Sequence, residues 1–148
     1  MTAKPLKQPI SVLVILHDTQ HNILLLERAD KPDFWQSVTG SVEGQEDLRQ
    51  TALREVAEET GIQLLPHQLH DWQHSIVYEI YPHWRHRYPA GVTHNTEHTF
   101  SACIERQSHI QLAPSEHTAY QWLPLQQAAD LVFSPSNREA ILQLPHHS

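Results

Sequence analysis

Three carboxylates fall within five residues of one another in Arg54-Glu55-Val56-Ala57-Glu58-Glu59. Residues three and four apart are neighbours on a helix, so Glu55, Glu58 and Glu59 would share one turn. Like charges at that spacing repel, and a cation among them relieves the repulsion. Hard divalent ions take oxygen ligands of this kind, and magnesium shares them with water and substrate phosphates. A solvated acidic face is the bland alternative. Leu48, Ala52 and Val56 form an apolar i, i+4 line. At about 100° per residue the glutamates lie beside that line, where a cleft could border the core, and a purely solubilising face would lie opposite. Periodicity alone leaves both readings open.

The elements around this turn follow from local signals. A helix is expected from about Glu46 to Thr60, with Glu46 and Asp47 in its first turn, where acids favour the positive end of the helix dipole. Gly61 stands where a C-terminal cap belongs. Upstream, Ile10 to Leu16 reads as a buried strand, Asp18 to Asn22 as a turn and Ile23 to Leu26 as the second strand of a hairpin. Phe34 to Val38 is a third short strand, and Gly40 and Gly44 bracket a loop. Downstream, strands are expected near Ile76 to Tyr81, Thr99 to Ile104 and Ala119 to Leu123. Helices are expected from Pro124 to about Leu131 and from Asn137 to Leu144, with His146 to Ser148 as a frayed tail. This order has no regular βαβ alternation. It implies an α/β (α+β) fold, a mixed sheet with helices on its faces, as a single domain over residues 1–148.

Composition narrows the partners. Ten Lys and Arg against 17 Asp and Glu give a formal net charge of −7. That is unsuited to coating a nucleic-acid polymer, which needs excess cations, but a small polyanion can bind where a few basic residues and a metal converge. Cys103 is the only cysteine, so no internal disulfide can form. The apolar run Ile10 to Leu16 has seven residues and no small-residue cleavage site after it. It does not read as a leader, and no stretch approaches the roughly 18 to 20 apolar residues of a membrane span. The cytoplasm is therefore expected. Thirteen histidines without a Cys partner or an HExxH arrangement do not make a zinc site.

The spacing of the whole segment is more specific than its periodicity. Gly40, five residues, Glu46, seven residues, then Arg54-Glu55-Val56-x-Glu58-Glu59-x-Gly61-Ile62 resembles the Nudix box at every defined position, nine residues fixed across 23. The resemblance implies a Nudix fold, an α/β/α sandwich with a mixed central sheet. It also implies hydrolysis of a phosphoric anhydride bond in a nucleoside diphosphate derivative. Glu55, Glu58 and Glu59 would bind the magnesium ions, with manganese able to replace them. Gly40 would offer a backbone carbonyl, and Glu46 and Arg54 would orient the ligands. All the box glutamates are present, which argues against a binding module that senses nucleotides without cleaving them.

Further blocks resemble a branch of the family that splits dihydroneopterin triphosphate in folate synthesis. These are Asp33 to Glu43, His83 to Tyr88, Gly91-Val92-Thr93, Asn95-Thr96-Glu97, Ser115-Glu116-His117 with Tyr120 and Trp122-Leu123, and Ser136-Asn137-Arg138. They imply pyrophosphate release from a small-molecule triphosphate; no membrane partner is expected, and the sequence leaves monomer or homodimer open. Glu116 would be an extra metal ligand or the general base, a role that Glu58 and Glu59 share as candidates. Lys7, Arg28, Thr39 and Ser134 would touch substrate, and Tyr78, Glu79, Ile80 and Tyr81 would line the ring pocket. Lys7 and Arg28 suit a triphosphate but are also ordinary surface charges. Trp84 to Tyr88 reads equally as a phosphate- or ring-binding patch and as a loop packing its own aromatics. A rival with the same chemistry is a housecleaning enzyme acting on dATP or oxidised nucleotides.

Overall fold

The computed structural model describes residues 6–147 of the chain. Its centre is β1 (Ile10–His17), buried along seven of its eight residues. β1 runs parallel to β6 (His94–Cys103) over its full length. On its other edge it pairs antiparallel with β4 (Val38–Ser41) and, at His17, with β2 (Asn22–Arg28). β2 carries β7 (His117–Pro124) and the two-residue β3 (Trp35–Gln36), while β5 (Leu69–Glu79) lies outside β6. The sheet is mixed, as expected.

Strand alternation sends the core to two sides. Val12, Val14, Leu16, Leu24 and Leu26 pack with Ala52 and Val56 of α1 (Leu48–Thr60). Leu13, Ile15, Ile23 and Leu25 pack with Ala128, Ala129, Ala140 and Ile141 of α2 (Leu125–Leu131) and α3 (Pro135–Gln143). The result is the α/β/α sandwich. No helix among the described residues is long and apolar enough to cross a membrane.

Several boundaries differ from expectation for local reasons. Glu46 and Asp47 precede α1, which has no acid in its first turn. Asp47 instead closes a capping box: its carboxylate accepts from Gln50 N at 2.8 Å, and Gln50 Oε1 accepts from Asp47 N at 2.9 Å. Gly61 does end the helix in the left-handed conformation, φ 78°, donating to Ala57 O. The third strand is two strands, and Gly40 lies inside β4 opposite Val12 rather than bracketing a loop. β5 starts seven residues before Ile76, with an irregularity between Asp71 and Ser75, because its polar first half buries only Leu69 and Trp72. Pro124 ends β7 and the helix begins after it, while Ser134 caps α3 two residues earlier than expected. The C-terminus is not frayed at His147, whose ring stacks on Trp72 at 4.0 Å; Ser148 lies outside the described residues.

Candidate active site

α1 lies against β4, and this packing brings Glu55 beside Gly40. A Cβ at Gly40 would fall onto the Glu55 carboxyl group. Glu55 and Glu59, one turn apart, face inward, and Glu59 is only 1% exposed. Glu58 turns outward, its side chain 50% exposed. Arg54 ties the cluster together. Its guanidinium donates to both carboxylate oxygens of Glu46 at 2.8 and 3.0 Å, to Glu55 at 2.7 Å, to Glu58 at 3.2 Å and to Ser41 O at 2.9 Å. That bond from Arg54 holds the Glu46 carboxyl down to about pKa 2, with Glu43 N–H and the Thr51 hydroxyl adding to it.

Glu59 is the unusual group. Neither of its oxygens meets a donor at good hydrogen-bonding geometry, although Thr39 N–H approaches the group. His117 Nε2 lies 3.6 Å from Oε1, too far for a hydrogen bond. Burial first, and the nearby Arg28 charge second, push the His117 pKa down to about 4, so the ring is neutral and the contact is no ion pair. Burial, then the neighbouring Glu55 and Glu116 carboxyls, raise Glu59 well above the ordinary carboxylate range. Burial also raises Glu55, against the pull of Arg54. A buried carboxylate without a well-placed donor is costly unless a proton or a cation joins it. The donor set is all hard oxygen, which fits magnesium or manganese and not a thiolate-seeking metal. Among the described residues no three His, Cys, Asp or Glu side chains are already gathered as a metal cage.

Gly40→Ala follows from the same packing. The variant is expected to fold, because the added methyl meets the end of a flexible side chain. It should push the Glu55 carboxylate aside and weaken magnesium binding at least about tenfold. Thermal melting across a magnesium series measures this, and an unchanged series would separate Gly40 from the metal.

Two hollows meet beside this cluster. An acidic cleft of about 850 Å³ is lined by Thr39, Gly40, Glu55, Glu58, Glu116 and His117, among others. The Thr39 hydroxyl is engaged with Val12 O at 2.8 Å. A more apolar cavity of about 470 Å³ is lined by Tyr78, Glu79, Ile80, Tyr81, Trp84 and Ser134, among others. Lys7, Arg28, Gln36 and Arg87 line both. Asp30 pre-orients two of these cations: it takes Arg28 through two bonds of 2.8 Å and Arg87 at 2.8 Å. Sequence reasoning missed Gln36, Phe133 and Glu97 as site residues and reached Arg87 only as part of the Trp84 to Tyr88 patch. Gln36, Arg87 and Glu97 stood in blocks already singled out; Phe133 carries no local signal. The Trp84 segment packs its own aromatics. Trp84 packs edge-on to Tyr81 and Phe133, and it also lies beneath Arg28, at 4.6 Å, and Arg87.

Residues 7–144 match the NUDIX domain, and the chain belongs to that family; it is a hydrolase of phosphoric anhydride bonds. Its relatives sharpen the picture. It is 48% identical over 147 residues to the dihydroneopterin triphosphate diphosphatase of Escherichia coli K12, covering 97% of this chain and 96% of that one. It is 40% identical to the enzyme of that name from Haemophilus influenzae, covering 88% and 84%. The solved structure of the E. coli dihydroneopterin triphosphate pyrophosphohydrolase superposes with a TM-score of 0.90 at 44% identity, over 98% of this chain and 100% of that one.

Proposed function

We propose that this chain is one cytoplasmic, magnesium-dependent hydrolase domain that converts dihydroneopterin triphosphate to dihydroneopterin monophosphate and pyrophosphate. The observation that carries this is the junction of the two hollows. An aromatic cavity suited to a flat ring opens, through Lys7, Arg28 and Arg87, into a cleft of carboxylates. A ring in the first would send its triphosphate past the three cations toward the second. The near-full-length likeness to two enzymes of that name supports the choice of ring.

Glu55 and Glu59 would hold the metal, with the Gly40 carbonyl, Glu58 and Glu116 as further oxygen donors. When bound, magnesium neutralises phosphate charge and acidifies water. The protein's own part is positioning. Asp30 and Gln36 hold the Arg28 fork open to the phosphates, Gln36 Oε1 accepting from Nη1 at 3.1 Å. Water attacks phosphorus, one P–O–P bond breaks, and a carboxylate takes the water's proton. We assign that role to Glu116. It is exposed on the cleft wall, whereas Glu59 is buried and Glu58 is held by Arg54.

Pyrophosphate release with magnesium, from dihydroneopterin triphosphate beside dATP and the other deoxynucleotides, tests the reading. The expected result is the highest kcat/KM for the pterin. A higher value for dATP would keep the chemistry and make the protein a nucleotide-housecleaning enzyme.

A further inference from the structure

Within the aromatic cavity one group is left without work by the reaction. Glu97 sits on β6, paired across to Ser11 of β1 and Ile76 of β5, so its backbone is fixed in the middle of the sheet. It is 5% exposed, yet it lines the cavity. An ionised carboxylate offers about four acceptor sites, and the partner that steadies this one is the Ser136 hydroxyl at the start of α3. The other donors around it are mostly committed elsewhere, while Asn95 Oδ1 is itself an acceptor without a partner. Asn137 holds Ser37 through both ends of its amide. Asn95 donates to Ser11 and to Tyr78 Oη. Gln36 Oε1 takes Arg28. Glu79, the second carboxylate of the cavity, is largely exposed and is bound to Arg85 at 3.1 Å. A buried carboxylate facing a hollow, with little of its accepting capacity used, is set for donors that a ligand brings.

We propose that Glu97 selects the ring of the substrate, its carboxylate accepting paired hydrogen bonds from the amide N–H and exocyclic amine of a 2-amino-4-oxo heterocycle. That edge puts two donors side by side, and pterin and guanine share it. Adenine puts an acceptor beside a donor, so an ionised Glu97 would face a ring nitrogen lone pair. Tyr81, Trp84 and Phe133 supply the faces against which the ring lies. The inference rests on the proposed pterin reading for its natural ligand. It can nevertheless be tested with purine nucleotides alone.

The ionisation of Glu97 sharpens the test. Burial pushes its pKa up to about 7, against the Ser136 bond. A protonated carboxyl is a donor beside an acceptor, which matches adenine instead. Selectivity for the donor–donor edge should therefore rise with pH. Around Glu97 stand Tyr78 and Tyr88, both raised by burial and so protonated in this range. Lys7, Arg28, Arg87 and Glu79 complete the charged lining, and His83 stacks on Tyr81 behind it.

The experiment is competition between dGTP and dATP in one reaction with magnesium, for wild type and Glu97→Gln, from pH 6 to pH 8. Titrations that affect both substrates cancel in the ratio of kcat/KM. In wild type the dGTP/dATP ratio should climb with pH. In Glu97→Gln it should be at least about tenfold lower at pH 8 and flat with pH, because an amide pairs with adenine at every pH. A variant ratio equal to wild type overturns the proposal. So does a wild-type ratio below one throughout the range, which needs no variant and stands even if Glu97→Gln fails to fold. A shifted ratio in a wild type that ignores dihydroneopterin triphosphate would sink the pterin assignment and leave the role of Glu97 intact.

Discussion

Glu59→Gln is expected to lower kcat by at least about two orders of magnitude, while the metal-free protein melts no lower than wild type. Both halves come from one geometry. Glu59 is buried with neither carboxylate oxygen hydrogen-bonded, beside Glu55 and within reach of the Glu116 charge. Without a cation this is an unfavourable place for a negative charge, so removing the charge costs the fold nothing. On the proposed reading, the same charge would anchor magnesium. Wild type should therefore gain melting temperature on adding magnesium, and the variant should gain much less.

The pH dependence has a definite sign. The folded-state pKa of Glu59 is raised, so its contribution to stability is fully present below the ordinary carboxylate range and is lost as pH rises through the higher, folded-state value. His117 acts oppositely. Its pKa is lowered from 6.5 to about 4, so it withdraws stability as pH falls through that window. Subtracting the Glu59→Gln melting curve from wild type, both without metal, isolates the Glu59 share. That difference should grow less favourable to wild type from pH 5 to pH 8 and should vanish or reverse with magnesium. A variant that turns over at near wild-type rate, or takes up magnesium normally, would remove Glu59 from the metal site.

How much of this was written in the local sequence depends on how far apart the partners lie. Glu55 and Glu59 are one helical turn apart, and the apolar line through Ala52 and Val56 already placed them beside the core. Periodicity could not say that Glu58 points away, because Arg54 decides that by reaching it across i, i+4. Gly40 was legible as a box residue, but its strand was not. Val38–Ser41 is a strand only because Ser11 to Val14 pair with it. Gln36 meets His117 at 3.4 Å across 81 residues, and Ser37 is held by Asn137 across 100. No pattern within one element reports such contacts. β5 was half hidden for a related reason. Its first residues look like a polar loop, and only Trp72, bonded to Ser101 and covered by His147, explains their strand conformation. The ring cavity shows the same division. Tyr78 to Tyr81 form a readable run, whereas Glu97 becomes interesting only once its burial is known.

Arg54→Ala should destabilise the metal-free protein by about 2 to 4 kcal/mol, and magnesium should return a large part of that loss. Arg54 is the cation on which this end of α1 depends. It serves three carboxylates by hydrogen bonds and approaches a fourth, Glu43, at 3.5 Å. It also satisfies Ser41 O, which joins the helix to β4. Truncation leaves the buried Glu55 carboxylate without its nearest counter-charge and strips Glu46 of its forked partner. The cost exceeds that of a surface pair, because the side chains of Arg54, Glu55 and Glu46 are only 19%, 11% and 22% exposed. Urea unfolding with chelator and then with magnesium measures both effects. The metal can replace the guanidinium only where it shares a carboxylate with it, which on the proposed reading is the buried Glu55 and, to a lesser extent, the exposed Glu58. Recovery in magnesium would thus show that Arg54 and the metal stabilise the same group. A loss below about 0.5 kcal/mol, or a loss that magnesium leaves untouched, would mean that Arg54 is a surface ion pair and that Glu55 takes no part in metal binding.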